Sequence, residues 1–309
     1  MLSLTDYLND IYKDFVDYIN RSDEYCELLD LDFRGEHLPN YQNEGIVQLY
    51  LLRYAYAYLF EYKHIFTKFI PKRDPFKIQN LKVISVGCGN YLDYWGAALA
   101  CDAVNKSCGI KYTGLDPVNW KYKVDPRQRD SIQFENKTFY EFLKTIVEND
   151  KGIDVNVIVF PKSIGEFSKD EIRGICVLLK RCKFNNKKIL VIFSFRDCLS
   201  NKEIDMNRAA MIVDAFKNHR SIPFSVSNFD RTRCYGIESQ GIRAVDNSFI
   251  YPNDIICYIQ ELANVCDKQN VLLEKCVGCS QALSRWPILK TDYINYSYAL
   301  ITLIKRKEN

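Results

Sequence analysis

The sequence predicts an α/β protein with a mainly parallel sheet and a helical N-terminal extension, and three observations carry that prediction. Short β-branched runs alternate with helical stretches from about residue 80 onward. Ser or Thr followed three positions later by Glu recurs just after strand candidates, at Thr138 with Glu141, Ser168 with Glu171 and Ser200 with Glu203. Such a capping box satisfies two backbone donors reciprocally and marks the start of a crossover helix. Before residue 70, apolar residues fall at helical spacing instead.

Taken in order, Leu4, Tyr7, Leu8, Ile11 and Phe15 mark one helix face, and Tyr50, Tyr54 and Tyr58 mark another. The run Pro71-Lys72-Arg73-Asp74-Pro75 is a boundary, because each proline lacks a backbone donor and disfavours helix in the residue before it. Five strand candidates follow: Val83 to Val86, Tyr112 to Leu115, Ser131 to Phe134, Val155 to Phe160 and Ile189 to Phe195. Residues 223–252 read as an irregular insertion carrying Arg231, Arg233 and Arg243, which could clamp an anion but more simply lie in a solvated loop. A helix from Asp254 to Lys268 precedes two strands, Val271 to Glu274 and Tyr293 to Ile304, whose closeness in sequence predicts an antiparallel addition to the sheet. The division expected is 1–75 as a helical extension or lid and 76–309 as the α/β domain.

The chain has 309 residues, 47% of them hydrophobic and 26% charged, which excludes a disordered or fibrous protein. Lys and Arg exceed Asp and Glu by 42 − 39 = +3, a surplus too small to indicate nucleic-acid binding by net charge. The 12 cysteines are well short of the roughly 8–10% of a disulfide scaffold, so a reduced, cytoplasmic protein is expected. Asp6, Asp10 and Asp14 stand where a signal peptide needs a basic and then an apolar run. The apolar stretch from Ile46 to Ile70 is interrupted by Arg53, Glu61, Lys63, His64 and Lys68, so no membrane span is expected.

The chemistry is concentrated after the first strand. Leu81 to Val86 runs into Gly87-Cys88-Gly89-Asn90-Tyr91-Leu92-Asp93, a glycine turn opening a helix. Gly87 and Gly89 let backbone approach a ligand closely, Asn90 and Asp93 can cap the helix, and a helix start favours anions. One βα unit later, Tyr112-Thr113-Gly114-Leu115-Asp116 ends a strand in a carboxylate able to accept both hydroxyls of a ribose. The dinucleotide fingerprint needs a third glycine where this chain has Leu92, which argues against NAD and leaves S-adenosylmethionine as the ribose cofactor.

VGCGNYLD followed by YTGLDP resembles the first two motifs of the class I S-adenosylmethionine-dependent methyltransferases, over roughly residues 76 to 304. The resemblance implies a Rossmann-like, mostly parallel sheet of seven strands whose last strand is antiparallel and enters beside the fifth. It also implies that Gly87 and Gly89 pass along the methionine part of the cofactor and that Asp116 binds the ribose. Cys88, Asn90, Asp93, Pro117 and Trp120 complete the candidate cofactor set. Two departures stand out: Ser85 where the family usually has an acidic residue, and Tyr91 where it has a small one. Asp93 is a candidate substitute for the missing carboxylate. A non-catalytic binding protein on a degenerate methyltransferase fold would account for both departures. A nicotinamide-dependent oxidoreductase would account for the Gly and Asp pair alone.

The end of the fourth strand is where the resemblance brings acceptor and methyl group together, which makes Phe160, Pro161, Lys162, Ser163 and Glu166 the candidates for the acceptor site. Holding an acceptor at near-attack distance supplies much of the barrier reduction in a displacement, so a strong base need not be visible. The acceptor is open, a small molecule being favoured. Cys276 and Cys279 have half the spacing of a zinc site, but Cys257 and Cys266 fall on opposite helix faces, so no metal is expected. His37, His64 and His219 form no metal or triad spacing.

Overall fold

A computed structural model describes residues 3–22, 28, 40–70, 80–104, 108–196, 202–220, 223–230, 249–264, 287 and 295–304. The chain divides into two compact units: Met1–Glu61, Trp120–Asp125 and Arg243–Thr291 form one, and Tyr62–Asn119, Pro126–Ile242 and Asp292–Asn309 form the other.

The first unit is helical. Helix α1, Leu4–Arg21, is capped by Ser3, whose hydroxyl accepts the Asp6 N–H at 3.1 Å, and it buries Leu4, Tyr7, Leu8, Ile11 and Phe15, the face predicted from spacing. Helix α2, Glu44–Phe69, belongs to this unit through Glu61. The segment from Trp120 to Asp125 is tied in by polar bonds. The Tyr7 hydroxyl donates to Tyr122 O at 2.8 Å, and the Tyr122 hydroxyl accepts from Gln48 Nε2 at 2.7 Å and donates to Asp14 Oδ2 at 2.8 Å. Lys121 adds ion pairs to Asp14 and Glu44.

The second unit holds the sheet. Strands β1 (Asn80–Val86), β2 (Gly109–Leu115), β3 (Ser131–Glu135), β5 (Val157–Pro161), β7 (Lys188–Phe195), β8 (Phe224–Ser227) and β9 (Asn295–Leu303) lie in the order β3-β2-β1-β5-β7-β9-β8. The first five are mutually parallel, while β9 runs antiparallel to both β7 and β8. This is the Rossmann-like arrangement expected: seven strands, with the last entering antiparallel beside the fifth. Short β4 (Gly152–Ile153) and β6 (Lys183–Phe184) pair separately.

Helices α3 (Leu92–Val104), α4 (Phe139–Glu148), α5 (Lys169–Leu179) and α6 (Lys202–Lys217) connect the parallel strands. The boxes at Thr138 with Glu141 and Ser168 with Glu171 form as predicted, each with both reciprocal bonds. Ser200 lies outside the described residues, but Glu203 stands in the first turn of α6. Strand parity separates two faces. Ile84, Val86, Ile158, Phe160, Val191 and Phe193 pack in one core with Phe139, Leu143, Ile172, Ile175, Val213 and Phe216. Each such side chain stabilises the fold by roughly 1.5–3 kcal/mol through burial. Val83, Ser85 and Tyr112 point to the other face, in the register that pairs Val83 with Tyr112 and Ser85 with Gly114.

One expectation is corrected here. The stretch after Pro223 begins with strand β8, four residues that pair with β9; Val271 to Glu274, the expected partner, lies outside the described residues. Phe224 is buried while Ser225 and Ser227 are exposed, the alternation of an edge strand with one wet face. Four residues beginning beside a proline carry too little pattern to be recognised alone. Helix α7, Asn253–Asn264, starts where predicted. The boundary prolines at 71 and 75 lie outside the described residues, as do Arg231, Arg233 and Arg243.

An ionic cluster centred on the buried Arg127 and Asp130 side chains fixes the connection between β2 and β3. Arg127 Nε donates to Asp130 Oδ2 at 2.6 Å, and its Nη1 donates to Asp102 Oδ1 at 2.8 Å and to Ala98 O at 3.0 Å. Asp130 also accepts the Tyr94 hydroxyl at 2.7 Å and the Ile110 N–H at 2.8 Å, and its side chain has no exposed surface.

Candidate functional site

The candidate residues of the second unit fall at the C-terminal ends of β1, β2 and β5, the edge of an open α/β sheet that leaves room for ligands. At the end of β1 the backbone turns through the left-handed region at Gly87 (φ +73°) and Gly89 (φ +50°), which only glycine enters without a Cβ penalty. The N–H groups of Gly87 and Cys88 both donate to Leu115 O, at 2.8 and 3.2 Å, so the turn is pinned to the end of β2. Gly87 also abuts the β5 loop: a Cβ there would meet Ser163 Cβ at 2.5 Å.

The two glycines are partly exposed, whereas Cys88 and Asn90 are buried. Cys88 and Tyr91 fit because Gly114 has no side chain; a Cβ there would meet Cys88 Sγ at 2.8 Å and the Tyr91 ring at 3.0 Å. Tyr91 holds φ +65°, an uncommon conformation for an aromatic residue, and its ring packs edge-on against Tyr112.

Asp116 stands where predicted, 6% exposed at the end of β2. Its Oδ2 accepts the Gly89 N–H at 2.9 Å and its Oδ1 accepts the Val118 N–H at 2.8 Å. Loop and carboxylate are thus one rigid unit. A carboxylate offers about four acceptor positions, and these two backbone bonds fix how it is oriented. Pro117 beside it is exposed. Trp120 lies in the first unit, 8% exposed, with Tyr41 and Tyr50 ring centroids 4.7 and 5.9 Å away.

Asp93, in the first turn of α3, turns inward and is 1% exposed. Its Oδ1 accepts the Tyr112 hydroxyl at 2.8 Å. Oδ2 has no hydrogen-bond partner among the described residues, and Ser85 lies close enough to favour the charged form. Burial outweighs these effects and pushes the carboxyl up to about 6. Ser85 and Tyr112 were not legible as its partners, because strand residues one βα unit apart are brought together only by register.

At the end of β5 the candidates separate. Phe160 is not a lining residue: it is fully buried, stacked on Phe193 at 5.0 Å and edge-on to Phe139, since its parity in the strand turns it into the core. Pro161 closes the strand. Lys162 is buried with φ +57°, and its Nζ donates to Phe195 O at 2.9 Å. The Ser163 hydroxyl donates to Val86 O, which fastens β5 to β1. Glu166 pairs with Arg196 at the end of β7, a partner that sequence spacing does not reveal. The turn between them is held from α6, where Arg208 Nη1 donates to Gly165 O at 2.9 Å.

Among the described residues no three His, Cys, Asp or Glu side chains converge as metal ligands, and no helix is long and apolar enough to cross a membrane. Cys257 is exposed on α7; Cys266, Cys276, Cys279 and His37 lie outside the described residues.

No protein-family model matches the chain, and no curated protein sequence matches it significantly. Solved structures similar in arrangement include an S-adenosylmethionine-dependent methyltransferase from Archaeoglobus fulgidus, 12% identical, covering 78% of this chain and 94% of that one with a TM-score of 0.35. Mycolic acid cyclopropane synthase in its apo form is 10% identical, covering 90% and 99% with a TM-score of 0.39. The plantazolicin methyltransferase bound to S-adenosylhomocysteine is 12% identical, covering 93% and 98% with a TM-score of 0.35. The fold class rests on strand order and direction: a Rossmann-like sheet of seven strands with β9 antiparallel between β7 and β8.

Proposed function

We propose that this protein is an S-adenosylmethionine-dependent methyltransferase that binds its cofactor at the ends of β1 and β2 and a small-molecule acceptor at the end of β5. The observation that carries the reading is the bond from the Gly89 N–H to Asp116, which locks a left-handed glycine turn to a strand-end carboxylate. That pair suits a ligand with a ribose and a polar tail. The turn supplies partly exposed backbone, and Asp116 supplies an oriented acceptor for hydroxyls. When bound, S-adenosylmethionine supplies an electrophilic methyl group. The residues at the end of β5 would position the acceptor, and positioning is the main demand of an in-line displacement. Lys162 is held in strained backbone and bonded to Phe195 O, so the loop carrying it is rigid.

Calorimetric titration of S-adenosylmethionine, S-adenosylhomocysteine and NAD into the purified protein tests this reading. Micromolar binding of the first two, weakened at least about tenfold in Asp116→Ala, is expected. Binding of NAD alone, or of none of the three, would overturn it.

A further inference from the structure

Beneath the glycine turn the second unit buries a carboxylate among neutral groups. Asp93 accepts the Tyr112 hydroxyl from β2 at 2.8 Å, Ser85 from β1 lies beside it, and Cys88 and Tyr91 belong to the turn that leads into α3. None of these side chains is a cation. The backbone N–H groups of Asp93 and Tyr94, at the start of α3, favour the ionised form. Tyr91 in the turn packs edge-on against Tyr112, whose hydroxyl bonds Asp93, and it experiences the charges of both Asp93 and Asp116.

Resting on the reading of this turn as an S-adenosylmethionine site, we propose that Asp93 is the counter-charge for a cationic ligand in the turn, so that uptake of S-adenosylmethionine releases a proton from Asp93. The cofactor and its product, S-adenosylhomocysteine, share ribose, amino and carboxylate groups and differ by the transferred methyl and the positive charge that it places on sulfur. Asp93 therefore separates them electrostatically, in addition to the one methyl by which their shapes differ. A cation above the turn favours the carboxylate over the carboxylic acid and lowers its proton affinity. By linkage, ligand affinity then falls as pH falls through the titration of Asp93, which burial places near 6 in the free protein. A unit charge about 10 Å away at an effective dielectric of about 20 shifts such a group by about one pH unit, which is about tenfold in affinity.

The test is calorimetric titration of both ligands from about pH 5 to about pH 7.5, in paired buffers of different ionisation enthalpy so that protons released are counted. For the wild-type protein, S-adenosylmethionine should bind about fivefold more tightly at the upper pH, with net proton release greatest between about pH 5 and 6. S-adenosylhomocysteine should change less than about threefold, and Asp93→Asn should flatten the S-adenosylmethionine profile. An equal pH dependence for the two ligands, or no proton release with the wild type, overturns the proposal without recourse to any variant. Binding of both ligands with flat profiles overturns it while leaving the cofactor reading intact. Absence of binding at the upper pH overturns both.

Discussion

Asp93 and Asp130 are both buried aspartates of the sheet unit, and their surroundings are opposite. Asp130 receives the Arg127 guanidinium, the Tyr94 hydroxyl and the Ile110 N–H, so its charge is matched by a buried cation and its oxygens are occupied. Asp93 receives the Tyr112 hydroxyl, with Ser85 and the N–H groups at the start of α3 nearby, and among the described residues no cation stands beside it. Burying an unpaired carboxylate costs several kcal/mol unless the group protonates or finds a partner, so a fold keeps one only where something else uses it. The comparison separates a carboxylate that holds the connection between β2 and β3 in place from one buried beside the glycine turn without a matching charge.

The largest expected effect tests the structural side. Asp130→Ala leaves the Arg127 guanidinium without its main buried partner and should destabilise the protein by about 3–5 kcal/mol in urea unfolding. A loss below about 1 kcal/mol would erase the distinction. Asp93→Asn should do the reverse and stabilise the fold at neutral pH. The carboxyl is raised from 3.8 to about 6 in the folded state, so the wild-type fold gains stability as pH falls through about 6 toward 3.8 and forgoes it above. The advantage of Asp93→Asn should therefore approach roughly 3 kcal/mol above about pH 7 and vanish below about pH 4, as read by melting across that range.

Tyr112→Phe removes the donor to Asp93 Oδ1 and should cost about 1–2 kcal/mol at neutral pH. It should also move the Asp93 titration above about 6, observable by carboxyl NMR. The smallest effect sharpens the contrast from the β5 side. Lys162→Gly should be about 1 kcal/mol more stable than Lys162→Ala, because both lose the bond to Phe195 O and only glycine accepts φ +57° without a Cβ penalty. Equal stabilities would show that the left-handed backbone there stores no strain.

Much of this was legible beforehand. The buried face of α1 was readable residue by residue because helical period alone sets it. The capping boxes at Thr138 and Ser168 were readable because both partners lie within one turn. The glycine turn after β1 and the carboxylate after β2 were readable as strand-end features, although the bond from Gly89 to Asp116 was not. Phe160 was misplaced for a physical reason: at a strand's end, the choice between site and core depends on parity, and parity depends on where pairing begins.

What the sequence by itself determined is local: helix faces, capping, the glycine turn, the strand-end carboxylate and the succession of β and α elements. The tertiary structure alone decided that β8 borders β9, with Ser225 bonded to Thr302 O across 77 positions, that Glu166 meets Arg196, and that Asp93 is buried against Ser85 and Tyr112. Short-range patterns encode conformation because their partners lie within a turn or two of chain. A carboxylate's environment is set by strands and helices distant in sequence, so its proton affinity, and the ligand charge it favours, emerge only when the sheet closes around it.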